Sequence, residues 1–259
     1  MGESGGTFSP FDWDADRSTL GRHFVRDMEG LWNQILALAA VVEESLNVSI
    51  RALCERRADL ARVVKSDEEV VNRSEVAIER ECLKILALHQ PVASDLRRVA
   101  VVLRVNSELE RMAELAQHIA KRARKRAKSP LDGEIPEGLE NLATQTLGQV
   151  RETLDALIKH DGALARVVIR RDREIDRRRA RVHEELKEAI RREPDRLDTW
   201  LRLINTARNL ERVSDHAANI AESVIYLTEG DIVRHSHTDQ FREPTAHDGS
   251  PDDASDEID

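Results

Sequence analysis

The sequence predicts an all-α protein of six long helices, arranged as two tandem three-helix bundles. Three observations carry this expectation. Apolar residues recur at steps of three and four along most of the chain. Aromatics make up only 3% of the residues, so the apolar set is mainly Ala, Val, Leu and Ile, which suits helices packed on helices better than a sheet core. One interior stretch, SPLDGEIPEG at 129–138, is dense in helix breakers and divides two sets of three periodic segments.

Taken in order, residues 1–19 read as a flexible N-terminal segment whose Phe8, Phe11 and Trp13 are its main apolar groups. The first bundle spans 20–129. Its first helix carries Leu31, Ile35, Leu38, Val42, Leu46, Ile50 and Leu53 on one stripe, before a polar break near Asp59. The second places Val71, Ile78, Cys82 and Ile85 on one face and stops before Pro91. The third begins with Ser94 as a natural N-cap and Asp95 in its first turn, and carries Leu96, Val99, Leu103, Leu109, Ala113, Ala116 and Ile119. The second bundle spans 130–230. Leu139, Leu142, Val150, Leu154 and Leu157 mark helix four; Ile175, Val182, Leu186 and Ile190 mark helix five. Leu197, Leu201, Ile204, Leu210, Ala217, Val224 and Leu227 mark helix six. Residues 231–259 are acidic, poor in apolar residues and broken by prolines, so a disordered acidic tail is expected, with His235, His237 and His247 simply solvated.

The two halves are copies. LARVV stands at Leu60–Val64 and again at Leu164–Val168, an offset of 104, while LERMAELAQHIA at Leu109–Ala120 reappears as LERVSDHAANIA at Leu210–Ala221, an offset of 101. The difference falls on the link between second and third helices, where deletions are tolerated.

Charged residues are 34% of the chain and the net charge is −9, which argues against nucleic acid or an anionic membrane as a global partner. The arginine-rich run RVVIRRDREIDRRRARVHEELKEAIRR has acids interleaved throughout and no aromatic stacking platform, so a solvated face with internal ion pairs is expected. No segment reaches the ~20 apolar residues of a membrane span, and the N-terminus has no signal-peptide pattern, so a cytoplasmic protein is expected. Cys54 and Cys82 read as reduced packing thiols. HExxH, GxSxG, CxxC and Gly-rich phosphate loops are all missing from the sequence, so no enzymatic reaction is expected.

The chemistry-bearing pattern is a pair of carboxylate ladders. Residues four apart share a helical face, so Glu110, Glu114 and His118 form one stripe, and Glu211, Asp215 and Asn219 form another. The preceding helix of each half carries a matching ladder: Glu68, Asn72 and Glu79, then Asp172, Asp176 and His183. Facing oxygen-rich stripes suit hard cations such as magnesium or manganese, or iron where a histidine reaches. The plainer alternative is solvated ion pairs, with Arg111, Arg212 or basic residues of facing helices as the counter-charges.

The words EVAIEREC, HQPVASDLRRV, LERMAELAQHIA and NLERVSDHAANIAESVIYLTEG resemble the PhoU family of bacterial phosphate-signalling proteins, in both halves and in order from about Leu20 to Glu229. The resemblance implies two three-helix bundles and a non-enzymatic, homodimeric cytoplasmic regulator. It also implies two protein partners, the ATPase subunit of the phosphate transporter and a phosphate-sensing histidine kinase, with membrane contact only through them. The family's metal motif, an acid and then an aspartate four residues on, is met by Glu211 and Asp215; in the first half Glu110 matches, but Glu114 replaces the aspartate and Leu115 stands where the second half has His216. The implied cofactor is a divalent or ferric ion (magnesium, manganese, iron or zinc), held by Glu211, Asp215, Glu110, Glu114, Asp172, Asp176, Glu68 and Asn72. Asp95, Arg97 and Arg98 match another family word, which implies partner binding; chemistry alone makes Asp95 a helix-capping charge. The alternative function is a metal-binding or storage protein with no signalling role.

Overall fold

A computed structural model describes residues 21–129 and 133–233, and in these residues there are six long helices and no strands. They are α1 (Arg22–Cys54), α2 (Leu60–His89), α3 (Ala93–Ala127), α4 (Glu137–Lys159), α5 (Gly162–Arg192) and α6 (Leu197–Glu229), with a 3-10 turn at Pro194–Arg196 before α6. Phe8, Phe11, Trp13 and the tail histidines lie outside the described residues.

Each stripe read from the sequence becomes a packed face. Leu31, Ile35, Leu38, Val42, Leu46 and Leu53 are buried on α1, and Val71, Ile78, Cys82 and Ile85 on α2; each such side chain contributes about 1.5–3 kcal/mol. Burial pushes the Cys82 thiol up to about 12, and both cysteines are free, as packing thiols should be. Helix ends follow local chemistry. Gln90 takes a left-handed conformation at the end of α2, directly before Pro91, and Asp161 caps α5 by accepting from the Leu164 amide at 2.9 Å. Arg126, buried near the end of α3, donates to the Leu53 carbonyl at 2.6 Å and also to the Gly133 carbonyl. It thereby satisfies an orphan carbonyl at the end of α1 and anchors the link to α4.

Three sequence expectations are corrected. Ser94 lies inside the first turn of α3; the N-cap is Val92, which makes no side-chain cap. Leu96 is exposed because it sits in that first turn, beyond the packed part of the helix. Leu197 and Leu201, one turn apart, share the outward face at the start of α6, while Thr199 and Trp200 between them are the buried residues.

Within each half the three helices pack on one another, and the halves meet through α3 against α6 and α1 against α4. Both pairs are antiparallel. Along α3, Arg97 lies beside Gly230, Glu108 meets Asn219, and His118 feels Arg212, so position rises on one helix as it falls on the other. Glu43 pairs with Arg151 at 3.1 Å, and Trp32 stacks edge-on against His160 at 5.1 Å. Equivalent helices packing antiparallel is what a pseudo-twofold axis between two copies requires. The axis leaves α2 and α5 on the outside, each packed only within its own bundle.

Candidate metal and partner sites

The second-half seam forms where α5 faces α6. Asp172 and Asp176 come from α5, Glu211 and Asp215 from α6. Withdrawal from bulk water pushes the Asp215 carboxyl up to about 6, and Asp172, Asp176 and Glu211 push the same way, with His216 opposing. Asp176 is raised by desolvation and by Asp172 and Glu211. Asp215 and Asp176 lie at the open rim, where solvent screens part of this repulsion. Two groups compensate. Arg179 holds Glu211 at 2.8 Å, and the buried Ser214 hydroxyl lies 2.6 Å from both Asp172 Oδ1 and Gln149 Oε1, donating its one proton to either.

The first-half seam, where α2 faces α3, is wired differently. Arg111 lies on the same helix as the pair it serves and reaches both Glu110 at 3.4 Å and Glu114 at 2.8 Å. The Glu110 carboxyl is raised by desolvation and by Glu114, Glu75 and Glu68, with Arg111 opposing. Glu75 escaped the sequence reading, although its step of seven from Glu68 puts it two turns along the same face. Asn72 and Glu79 are exposed, and neither is among the groups that shift Glu110. At the offset of 104, Glu75 stands opposite Arg179, so one position adds a charge to the first seam and neutralises one in the second.

The histidines of the ladders go elsewhere. His118 is exposed, and desolvation, Lys121, Arg122 and Arg212 lower its pKa against a weaker pull from Glu114. His183 is not among the groups acting on Asp176 or Asp215. His216 Nδ1 lies 2.7 Å from Glu108 Oε2 of α3, and Asn219 donates to the same oxygen at 3.2 Å. Burial works against the Glu108 carboxylate, but these hydrogen bonds hold its pKa below the usual value. Asn219, expected to extend the Glu211 ladder, is thus a bridge between bundles.

Four carboxylates with one arginine among them are a suitable donor set for a hard cation. As the side chains stand, no three His, Cys, Asp or Glu of the described residues are gathered as tightly as a bound ion requires.

Asp95, Arg97 and Arg98 each have an internal contact. Arg98 donates to Asp95 at 2.8 Å. The Arg97 guanidinium lies 5.6 Å from the Tyr226 ring centre, where cation–π attraction holds it. It also lies against Gly230, the C-cap of α6, whose φ of +84° favours glycine and whose missing Cβ gives the guanidinium room. Around these residues Leu88, Val92 and Leu96 are exposed at 68%, 74% and 46%, an apolar corner open to solvent. None of the described helices is long and apolar enough to cross a membrane.

Comparison with known proteins agrees with this architecture. The sequence profile of the PhoU domain matches twice, at residues 35–123 and 139–224. The chain is 34% identical to the phosphate-specific transport system accessory protein PhoU homolog of Pseudomonas aeruginosa over 227 residues, covering 86% of this chain and 93% of that one. It is 30% identical to the phosphate-specific transport system accessory protein PhoU of Escherichia coli K12 over 230 residues, covering 87% and 95%. The crystal structure of PhoU from Pseudomonas aeruginosa superposes with a TM-score of 0.77, covering 80% of this chain and all of that one at 34% identity. The phosphate transport system regulatory protein PhoU from Streptococcus pneumoniae gives 0.74 at 26% identity, covering 81% and 99%.

Proposed function

The chain belongs to the PhoU family, whose domain it carries twice, and on that premise we propose that it is a non-enzymatic regulator of phosphate uptake and phosphate-starvation signalling. It acts in the cytoplasm as an adaptor between the ATPase subunit of the phosphate transporter and a phosphate-sensing histidine kinase. The observation that carries this reading is the match of both bundles, over most of their length, to accessory proteins of phosphate-specific transport. The exposed corner of Leu88, Val92 and Leu96, with Asp95, Arg97 and Arg98 at its edge, is the partner contact that fits an adaptor, because apolar groups rimmed by charge are what protein interfaces use.

A divalent cation in the second seam belongs to the same reading. Asp172, Asp176, Glu211 and Asp215 are its ligands, and the mutual repulsion of these carboxylates supports the assignment. The ion relieves that repulsion and stiffens the α5–α6 face. In the first half, Glu110, Glu114 and Glu68 are the corresponding ligands, with Arg111 as their competitor.

Deletion of the gene is expected to leave phosphate-starvation genes switched on in high phosphate; normal repression in the deletion strain contradicts the adaptor reading. The metal-storage alternative is separated by counting ions on untagged purified protein. A few ions per chain agree with the adaptor, and many favour storage.

A further inference from the structure

The arginine-rich run that looks evenly mixed in sequence is sorted by the fold. Arg166, Arg170, Arg173, Arg177 and Arg181 are all exposed on α5, opposite the face that buries Ala165, Val168, Ile175, Val182 and Leu186. At 3.6 residues per turn they fall within an arc of roughly 80° and extend along ~22 Å. The interleaved acids Asp172 and Asp176 instead turn toward α6 and the seam. Other arginines of the helix are spent internally, Arg171 on Glu152 and Arg179 on Glu211. Within the stripe Arg166 pairs with Glu229 at 2.5 Å, whereas Arg170, Arg177 and Arg181 make no ion pair among the described residues. The fold does not demand this arrangement. At the same positions of the first bundle stand Arg62, Ser66, Glu69, Arg73 and Ala77.

We propose that the exposed face of α5 from Arg166 to Arg181 is a docking surface for an acidic polypeptide strip, about one helix wide, on another protein. The width decides the occupant. Glu174 flanks the stripe, and the seam acids lie round the same helix within its ~10 Å diameter. These carboxylates lie within about a Debye length, ~8 Å, of the stripe. A bilayer or a duplex is far broader and would press its own negative charges onto them, while a narrow acidic segment meets only the arginines. α5 carries no Phe, Tyr or Trp on which bases could stack, and its one histidine, His183, lies off the stripe. This surface is separate from the Leu88–Leu96 corner and needs no cation in the seam.

The test uses the full chain and a short fluorescein-labelled Glu- and Asp-rich peptide, read by anisotropy at low salt. The chain should bind the peptide, added salt should weaken binding, R170E/R177E/R181E should lower affinity about tenfold or more, and R170K/R177K/R181K should largely retain it. Unchanged helical circular dichroism shows that each variant folds. Equal binding by the wild type and the charge-reversed variant overturns the proposal. So does tighter stripe-dependent binding of phosphatidylserine vesicles or duplex DNA than of the peptide. A large gain in peptide binding when Asp252, Asp253, Asp256, Glu257 and Asp259 are changed to their amides also overturns it, since the occupant is then the chain itself.

Discussion

The two seams share a scaffold and differ in where an arginine stands. In the first bundle Arg111 rises from the same helix as Glu110 and Glu114 and closes on both. In the second, Arg212 occupies the matching place but is exposed and makes no ion pair among the described residues; Arg179 arrives from the facing helix and takes Glu211 alone. Asp215 is drawn out of bulk water into a crowd of like charges, and its carboxyl rises to about 6. The same acid spacing therefore yields an ion-paired surface in one half and a strained anionic seam in the other. The same acid ladder is neutralised from its own helix in one half and only partly from the facing helix in the other, and the placement of one guanidinium makes that difference.

Exchanging these neutralisers should produce the largest effects. Arg179→Glu gives the second seam the residue type found at Glu75 and should raise its manganese affinity about tenfold or more, with a matching loss of stability in metal-free buffer. Arg111→Gln should open the first seam and add a weaker second binding event to the titration; a single unchanged event shows that Arg111 does not close it.

The stability of the metal-free protein should also depend on pH. Asp215 has a folded pKa of about 6 against the ordinary 3.8. A raised acid favours the folded state only while protonated, so its contribution to metal-free stability falls as pH rises from about 3.8 to about 6 and stays low above that. Thermal melts across this window should show the decline, saturating magnesium should flatten it, and Asp215→Asn should reduce it, leaving the smaller contributions of the raised Asp176 and Glu110 carboxyls. An undiminished decline in the Asn variant assigns the slope to another group.

A smaller effect is expected at the bundle interface. Glu108→Gln keeps the shape but loses the charge that His216 and Asn219 hold, and should destabilise the protein by about 1–2 kcal/mol in urea unfolding. The seam should keep its cation affinity, because Glu108 lies on the inter-bundle face. The smallest effect is at Gly230, where Ala should cost about 1 kcal/mol from the positive φ and shift the Arg97 guanidinium that lies against it.

Helix identity, helix order and the duplication were legible because a 3.6-residue period and a repeated phrase are properties of one strand of letters. The seam acids were legible for the same reason, since a step of four fixes a face. What neighbouring helices bring to that face was not. Nothing in the spacing of α6 says that His216 and Asn219 look across to α3 while Asp215 looks to α5. Glu75 and Arg179 did leave a signal, each seven residues after a ladder acid. The arginine stripe left one too, since projecting charges, as well as apolar residues, around α5 separates it from the seam. Ser94 misled because a good capping residue sat two positions inside the true start.

The most direct test of the difference between the seams is a manganese titration calorimetry experiment on metal-stripped, untagged protein, comparing wild type with Asp172→Asn/Asp215→Asn and with Glu110→Gln/Glu114→Gln. The account predicts that the α5–α6 variant loses the principal binding event while the α2–α3 variant keeps it. Loss of that event from the α2–α3 variant alone, or its survival in the α5–α6 variant, would contradict the account.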